Sequence, residues 1–193
     1  MNNKHIILKI LITFDIISLV RCNNYNSETK YIIGHKIDSL NSVYVYYNGS
    51  MSNVSKRNKT RDGYNLGLKY QCVEFVKRYY YKHYKHKMPN SWGHAKDFFN
   101  KDIYDGKLNK DRNLKQYTNP SYTKPKIGDL VVFDRTIFNS FGHVAIISNV
   151  TENKVEIIQQ NVGKQTREKY TLKAQNNKWI IENKRVLGWL SLN

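Results

Sequence analysis

The sequence predicts an α+β fold, in which an N-terminal helix that carries Cys72 packs on an antiparallel β-sheet of about five or six strands. Three observations support this prediction. Apolar residues recur at helical spacing after Cys72, residues 130–133 form a continuous apolar run, and residues 141–161 alternate in polarity around a short polar turn. A chain of 193 residues is long enough for one domain with a single hydrophobic core.

The predicted helix begins at Cys72. Val73, Val76 and Tyr79 follow at helical spacing, and Gly67 lies upstream, where the chain can bend sharply into the helix. A thiol at a helix N-terminus lies beside unpaired backbone N–H groups and the positive end of the helix dipole, and both favour the thiolate. A lone cysteine is more often a small buried apolar residue, so the nucleophilic interpretation depends on what lies downstream.

The downstream context is a predicted β-hairpin. Residues 141–147 and residues 155–161 alternate in polarity and are joined by a short polar turn, which predicts two antiparallel strands. The length of the turn favours a register in which Asn149 faces Val155.

This register brings a histidine and two amides to one face of the hairpin. His143 faces Asn161, and Gln159 emerges beside them because side chains alternate with period two, whereas Gln160 points to the opposite face. A histidine flanked by an amide, with a cysteine at a helix start, is the arrangement of a cysteine hydrolase. The imidazole takes the thiol proton, and the third residue fixes the tautomer and orientation of the ring.

Four segments of the chain, in this order and spacing, also carry a family resemblance: YQCVEFVKR, IGDLVVF, FGHVAII and VEIIQQNV. They resemble the CHAP family of cysteine, histidine-dependent amidohydrolases and peptidases, and within it the amidase domain of glutathionylspermidine synthetase/amidase. The resemblance covers residues 32–190. It implies a papain-like fold with Cys72 as nucleophile and His143 as base, and an oxyanion hole formed by the Cys72 backbone N–H and the Gln71 side chain.

Two positions depart from the pattern of that family. Gln159 replaces the glutamate that commonly serves as third catalytic member; a neutral amide can orient His143 but cannot stabilise the imidazolium by charge. Asn161 matches the asparagine of the family and is a second candidate for the orienting role. Lys77 stands where the amidase domain usually carries an arginine that holds a substrate carboxylate, and it lacks the bidentate fork of arginine.

Three residues are candidate substrate contacts. The helix presents Lys77 and Arg78 as cations, and Trp92 is a candidate to line the cleft, although a tryptophan buried in the core is the commoner outcome. Residues 92–99 are predicted to form a second helix with Trp92 on its apolar face. The polar segment 101–126 is predicted to be a long irregular crossover that borders the substrate groove.

The chain is strongly basic, with a formal net charge of +17. Such a charge favours association with an anionic wall polymer, an anionic membrane surface or nucleic acid, although a composition inflated in lysine by an AT-rich genome accounts for it equally well. No RNA-recognition, helix-turn-helix or zinc-finger pattern occurs in the sequence, which argues against nucleic acid as the partner. The sequence therefore predicts a peptide or amide substrate, with peptidoglycan as the favoured source.

The cysteine count and spacing predict neither a disulfide nor a metal site. The chain has 2 cysteines, Cys22 and Cys72, and a disulfide between them would sequester the proposed nucleophile. The sequence has no CxxC pair, no paired His/Cys metal spacing and no glycine-rich phosphate loop. We therefore expect no metal and no cofactor, and a monomeric protein.

Residues 1–22 are predicted to be a signal or lipoprotein-type export segment. Lys4 and Lys9 form a basic start, and residues 10–20 are mostly apolar, too short to span a bilayer but of the length of a signal-peptide core. Arg21 precedes Cys22 where a lipoprotein signal has a small residue. The alternative is an amphipathic helix retained in the cytoplasm. Residues 23–30 are predicted to be a linker and residues 31–193 the CHAP amidase-like domain.

These observations favour an exported cysteine amidohydrolase or peptidase, secreted, periplasmic or anchored to the envelope, that cleaves peptidoglycan peptides. A cytoplasmic location would instead favour hydrolysis of a glutathione–polyamine amide, as the nearest resemblance implies. A third hypothesis is a catalytically degenerate module that binds cell wall or another polyanion, and the glutamine at position 159 is the feature that motivates it.

Overall fold

Strands dominate residues 31–192, which are the residues that the computed structural model describes. This part of the chain is mostly β and contains one α-helix, α1 (Cys72–Tyr84), and a one-turn 3₁₀ helix (Ala95–Phe98). Its strands, in chain order, are β1 (Lys36–Leu40), β2 (Val43–Tyr46), β3 (Arg57–Lys59), β4 (Asn65–Leu68), β5 (Lys107–Asn109), β6 (Leu114–Thr118), β7 (Leu130–Phe133), β8 (His143–Val150), β9 (Lys154–Ile158), β10 (Arg167–Gln175), β11 (Lys178–Ile181) and β12 (Val186–Ser191).

Eight of these strands form one antiparallel sheet, in the order β11-β10-β9-β8-β7-β12-β6-β5. The strands β1 and β2 form a separate two-stranded sheet, and so do β3 and β4. All four residues of β7 are buried, which confirms the prediction that its apolar run is covered on both faces.

Helix α1 covers one face of the central strands. Phe75, Val76 and Tyr79 are fully buried and share a hydrophobic cluster with Val132 and Ile146. The helix repeats its apolar positions every three to four residues and the strands repeat theirs every second residue, so each presents one apolar face to the other. A second cluster, which includes the fully buried Trp189, covers the opposite face of the sheet.

The predicted α+β fold with a sheet of about five or six strands was wrong. The described residues are mostly β, with one α-helix and sheets of eight, two and two strands. The additional strands β5 and β6 lie in segment 101–126, which was predicted to be an irregular crossover.

Buried polar side chains explain why the sequence pattern did not predict strands β5 and β6. Gln116 on β6 and Asn109 on β5 are buried, and they take inward positions that sequence patterns reserve for apolar residues. Gln116 Oε1 accepts hydrogen bonds from Asn109 Nδ2 (2.9 Å) and from the Asn100 backbone N–H (2.9 Å), and its Nε2 donates to the Asn100 carbonyl (2.7 Å). Because these groups satisfy one another, a polar sequence can occupy a buried edge of the sheet.

The second predicted helix, residues 92–99, was also wrong in extent. Only Ala95–Phe98 form a turn of 3₁₀ helix, and Trp92 is 60% exposed instead of packing into the core. Gly93 has a φ of +109°, a left-handed conformation that prevents a helix from beginning at Trp92.

The β8–β9 hairpin exists, but its register near the turn differs from the prediction by one residue. Asn149 pairs with Glu156 instead of Val155. An irregularity of the ladder between Ile147 and Asn149 absorbs one residue, so that Ile147 faces Ile157 as the predicted register requires. The predicted register is therefore kept at the pair Ile146 and Ile158, and Gln159 and Asn161 lie beyond the end of β9.

The predicted export segment and linker, residues 1–30, lie outside the described residues. Within residues 31–192, the structure has no helix that is both long and apolar enough to cross a membrane.

We predict that Gln116→Leu destabilises the protein by about 1–3 kcal/mol, because it leaves buried amide and backbone groups without hydrogen-bond partners. Urea unfolding of this variant measures the loss. Lys115→Leu, at the exposed neighbouring position on β6, is the control and should change stability by no more than about 0.5 kcal/mol. Equal stability of the two variants would contradict the role assigned to the Gln116 network.

Candidate active site

The start of α1 is held against strand β4. Gly67 has a φ of +121°, and a Cβ atom there would lie 3.2 Å from the Glu74 backbone nitrogen, so glycine permits this close approach. Cys72 is the first residue of the helix. The preceding residue, Gln71, caps the helix without a side-chain hydrogen bond, which leaves the first N–H groups of α1 available to an anion.

Burial raises the pKa of the Cys72 thiol above its usual value. The backbone N–H groups of Val144, Val73 and Cys72 itself point at the sulfur and partly oppose this rise. The sequence argument weighed only the helix terminus, which favours the thiolate, but desolvation of the buried sulfur outweighs it. The resting thiol therefore keeps its proton at neutral pH, and a nearby base must remove that proton before the sulfur can attack.

His143, the first residue of β8, is the base that the fold supplies. Its Nε2 lies 2.9 Å from Gln159 Oε1, and because a carbonyl oxygen can only accept, Nε2 carries the hydrogen and Nδ1 keeps a free lone pair. Burial lowers the pKa of His143 to about 4, and the positive charge of Arg185 acts in the same direction. The ring is therefore neutral at pH 7 and able to accept a proton.

The residue that follows His143 packs near the nucleophile candidate. Val144 shares a hydrophobic cluster with Cys72, so the start of β8 lies close to the start of α1. The Phe133 ring, 5.8 Å from the His143 ring between centroids, packs on the imidazole from the neighbouring strand β7. The fold thus brings His143 into contact with Gln159, and the pairing of Cys72 with His143 stays a prediction.

Asn161 does not orient His143 in this structure. It has a left-handed φ of +70°, and its Nδ2 donates to Gln71 Oε1 at 2.6 Å and to the Met51 carbonyl at 3.1 Å. Gln71 Nε2 in turn donates to the Asn53 carbonyl at 2.7 Å. The amide of Asn161 therefore positions the proposed oxyanion-hole residue Gln71, because its backbone turns away from the strand geometry that the hairpin argument assumed.

Sequence reasoning missed the loop that completes this amide network. Asn48 is buried, and its Nδ2 donates to Asn161 Oδ1 at 2.7 Å and to the Asn53 carbonyl at 3.1 Å. Asparagine is so common in this chain that no single asparagine stands out as a signal in the sequence.

Lys77 and Arg78 do not reach a substrate-accessible surface. Lys77 is fully buried and donates to the Ser91 carbonyl at 2.8 Å and to the carbonyl of Asn65. Arg78 is buried and forms an ion pair with Glu74, with 2.7 Å between Nε and Oε1. Their cationic groups hold the loops around α1, so the expectation that they bind substrate is not supported by their placement.

Trp92, the third candidate substrate contact, is exposed near the site. The Arg57 guanidinium stacks on its ring at 4.6 Å from the centroid. The segment that follows it docks on the residues before His143: the His94 and Phe141 rings lie 4.7 Å apart, and the Lys96 N–H donates to the Phe141 carbonyl at 3.0 Å. The exposed rings of Trp92, His94 and Phe141 are termed the aromatic rim; of the three, His94 and Phe141 contact each other.

Among residues 31–192, no group of three or more His, Cys, Asp or Glu side chains is arranged to hold a metal ion.

Comparison with known proteins gives a family match. The model of the CHAP domain family matches residues 62–161, a segment that includes Cys72, His143, Gln159 and Asn161.

Two curated relatives are similar to this chain over a minor part of their own length. The bifunctional glutathionylspermidine synthetase/amidase of Escherichia coli (strain K12) is 29% identical over 140 residues, 65% of this chain and 22% of the relative. The glutathionylspermidine synthase of Crithidia fasciculata is 33% identical over 104 residues, 51% of this chain and 14% of the relative. This chain therefore matches only a minor part of each relative.

A solved structure, the crystal structure of Ly7917, has 26% sequence identity and covers 38% of this chain and 30% of its own. Its TM-score is 0.28, which is too low to support an argument about this chain.

We predict that His143 makes the stability of the protein fall between about pH 6.5 and pH 4. In the unfolded chain, histidine takes up a proton below about pH 6.5, whereas the folded ring stays neutral until about pH 4. Protons therefore bind the unfolded chain preferentially in this window, and the native protein loses up to about 3 kcal/mol. Urea unfolding of native protein and His143→Gln at several pH values measures the difference.

Comparing native protein with His143→Gln isolates the contribution of His143 to the pH dependence of stability. Burial raises the pKa of Asp129 to about 6, which acts in the opposite direction over the same pH range, but Asp129 is present in both proteins and its effect cancels. An equal loss of stability in native protein and His143→Gln would show that His143 is not kept neutral by burial.

Proposed function

Because the chain belongs to the CHAP family of cysteine, histidine-dependent amidohydrolases and peptidases, we propose that it hydrolyses an amide bond with Cys72 as nucleophile and His143 as base. The observation that carries this proposal is the hydrogen bond between His143 and Gln159 at 2.9 Å; Val144, the residue after His143, packs in the same hydrophobic cluster as Cys72. This bond leaves Nδ1 of the imidazole free to take the thiol proton.

In the first half of the proposed reaction, His143 Nδ1 takes the proton of the Cys72 thiol while the sulfur attacks the amide carbonyl carbon. The electron pair of the carbonyl moves to its oxygen, and the backbone N–H of Cys72 and the side chain of Gln71 stabilise this oxyanion. Donors that are already in place typically contribute about 2.7–4 kcal/mol each. The C–N bond then breaks, the leaving amine takes the proton from His143, and a thioester remains on Cys72.

In the second half, a water molecule hydrolyses the thioester. His143 takes a proton from the water as its oxygen attacks the thioester carbonyl, and the same two donors stabilise the second oxyanion. The C–S bond breaks, the carboxylic acid leaves, and the proton on His143 returns to the sulfur. Gln159 keeps the imidazole in one tautomer through both halves of the cycle.

The proposed resting state is a neutral thiol beside a neutral imidazole. Burial raises the pKa of Cys72 and lowers that of His143, and both shifts disfavour the charged pair. The thiolate–imidazolium pair would then form only as the substrate binds, when the developing charge on sulfur passes to the substrate oxygen.

Peptidoglycan peptides are the substrate that we favour. The formal net charge of +17 is suited to an anionic wall polymer, and the exposed aromatic rim of Trp92, His94 and Phe141 offers a surface for an extended ligand. Export of the protein is part of this proposal. The curated relatives motivate the second candidate substrate, a glutathione–polyamine amide that would be met in the cytoplasm.

A binding module without turnover is the remaining alternative. The neutral Gln159 and the raised pKa of Cys72 favour it, because both make the thiolate harder to form. The proposed function differs from it in requiring that substrate turnover depend on the Cys72 sulfur.

We predict that Cys72→Ala abolishes amide hydrolysis and that His143→Ala lowers it by at least about 10²-fold, the usual contribution of a positioned base. Release of peptides from purified peptidoglycan and hydrolysis of glutathionylspermidine, assayed with one preparation, measure turnover and identify the favoured substrate. Cys22→Ser is the control and should retain full activity.

The outcome that would contradict this prediction is also specific. Binding to wall material that is unchanged in Cys72→Ala, together with no turnover of either substrate by the native protein, would favour the binding module.

We further predict that Asn161→Leu lowers turnover by about 10-fold or more, less than the 10²–10³-fold that follows direct removal of an oxyanion-hole donor. It should leave unchanged the pH dependence of Cys72 alkylation by iodoacetamide, because Asn161 holds Gln71 and not His143. Mass spectrometry of the alkylated peptide measures the second effect. A shift in the pH dependence of Cys72 alkylation would instead indicate that Asn161 orients His143.

A further inference from the structure

The amide of Gln159 has a second partner besides His143. Its Nε2 donates to Glu168 Oε2 at 3.5 Å, at the long end of hydrogen-bonding distance. Glu168 lies on β10, which pairs with β9 on the side away from β8. Glu168 faces Ile157, so it stands diagonally across from Gln159, a separation that a long side chain spans.

Both strands hold this arrangement in place. Gln159 is 4% exposed, and its backbone N–H donates to the Thr166 carbonyl at 2.8 Å, which continues the ladder one residue beyond β9. Glu168 is half-buried, and Tyr170 lies two residues along the same face of β10. Burial and the neighbouring Glu168 carboxylate both raise the pKa of Tyr170, so the phenol keeps its proton.

An amide side chain can be turned in two ways, and the carboxylate decides between them. A carboxylate accepts hydrogen bonds only, so it attracts the NH₂ end of Gln159 and repels the oxygen end. With NH₂ turned towards Glu168, the oxygen faces His143 and can accept only from a protonated Nε2. In the opposite orientation, the oxygen would face the carboxylate and NH₂ would face Nε2.

Glu168 also offers the carboxylate that position 159 lacks. The resemblance to the CHAP family implies a glutamate at position 159, whereas here the carboxylate stands one side chain further from the imidazole. A negative group behind the amide favours a positive imidazole in front of it, because the amide dipole passes the field on. Arg185 is the cation that opposes this effect at His143.

We propose that Glu168 is a positioning residue of the active site, which acts through Gln159 to fix the His143 tautomer and to stabilise the imidazolium that forms during the reaction. This inference rests on the proposed function, since it requires His143 to act as a base. It assigns to this chain a His143–Gln159–Glu168 relay in place of a direct histidine–glutamate pair.

The test compares the rate of Cys72 alkylation by iodoacetamide across pH 5 to 9 in the full chain, with site assignment by mass spectrometry. Glu168→Gln removes the charge and keeps an acceptor, whereas Glu168→Leu removes both. Glu182→Gln, which removes an exposed carboxylate paired with Lys173, is the charge-matched control. Urea unfolding of each variant confirms that it is folded.

We expect Glu168→Leu to slow alkylation at pH 7 by roughly 10- to 100-fold, the range known for the outer partners of oriented histidines in metal sites. Glu168→Gln should slow it less, and Glu182→Gln should leave it unchanged. Addition of Gln159→Glu to Glu168→Leu should restore the rate, because the carboxylate then contacts His143 directly. A merely structural role of Glu168 would not produce this rescue.

The experiment distinguishes failure of the proposed function from failure of the relay. Native alkylation that is indifferent to His143→Ala would overturn the proposed function itself. Native alkylation that depends on His143, but is the same in Glu168→Leu and Glu182→Gln, would overturn the relay and leave the proposed function intact.

Discussion

The packing of α1 on the central strands of the eight-stranded sheet is the constraint on which the rest of the structure depends. Phe75, Val76 and Tyr79 are fully buried against that sheet, and each buried apolar side chain of this size stabilises the fold by roughly 1.5–3 kcal/mol. This packing holds the first turn of the helix against the start of β8. Cys72 and His143 are therefore positioned by the core itself, and their placement does not depend on a mobile loop.

The same packing determines the protonation state of the site. The core that holds Cys72 and His143 also removes them from water, and desolvation opposes both a thiolate and an imidazolium. It raises the pKa of the thiol and lowers that of the imidazole to about 4. The proposed mechanism accordingly begins from a neutral pair, and the relay from Glu168 through Gln159 supplies the negative field that a buried imidazolium needs. In the proposed mechanism, one cluster of side chains is therefore both buried by the core and required to stabilise the charges that form during the reaction.

Amide side chains carry much of the remaining organisation. Gln159 orients His143, Asn161 positions Gln71, and Gln116 fills a buried place at the edge of the sheet. An amide offers both donors and an acceptor without a net charge, so it can satisfy buried backbone groups at a lower desolvation penalty than an ion. In a chain this rich in asparagine, such networks take over positions that other proteins give to apolar residues.

The sequence by itself determined the elements that depend on local periodicity. Helix α1, strand β7 and the β8–β9 hairpin could be predicted, because side-chain alternation and helical spacing are properties of neighbouring residues. Only the tertiary structure decided the mostly β fold, the partner of Asn161 and the buried state of Lys77. Each of these depends on groups distant in sequence: a polar side chain is buried when another segment satisfies its hydrogen bonds, and no local pattern records where that segment will lie.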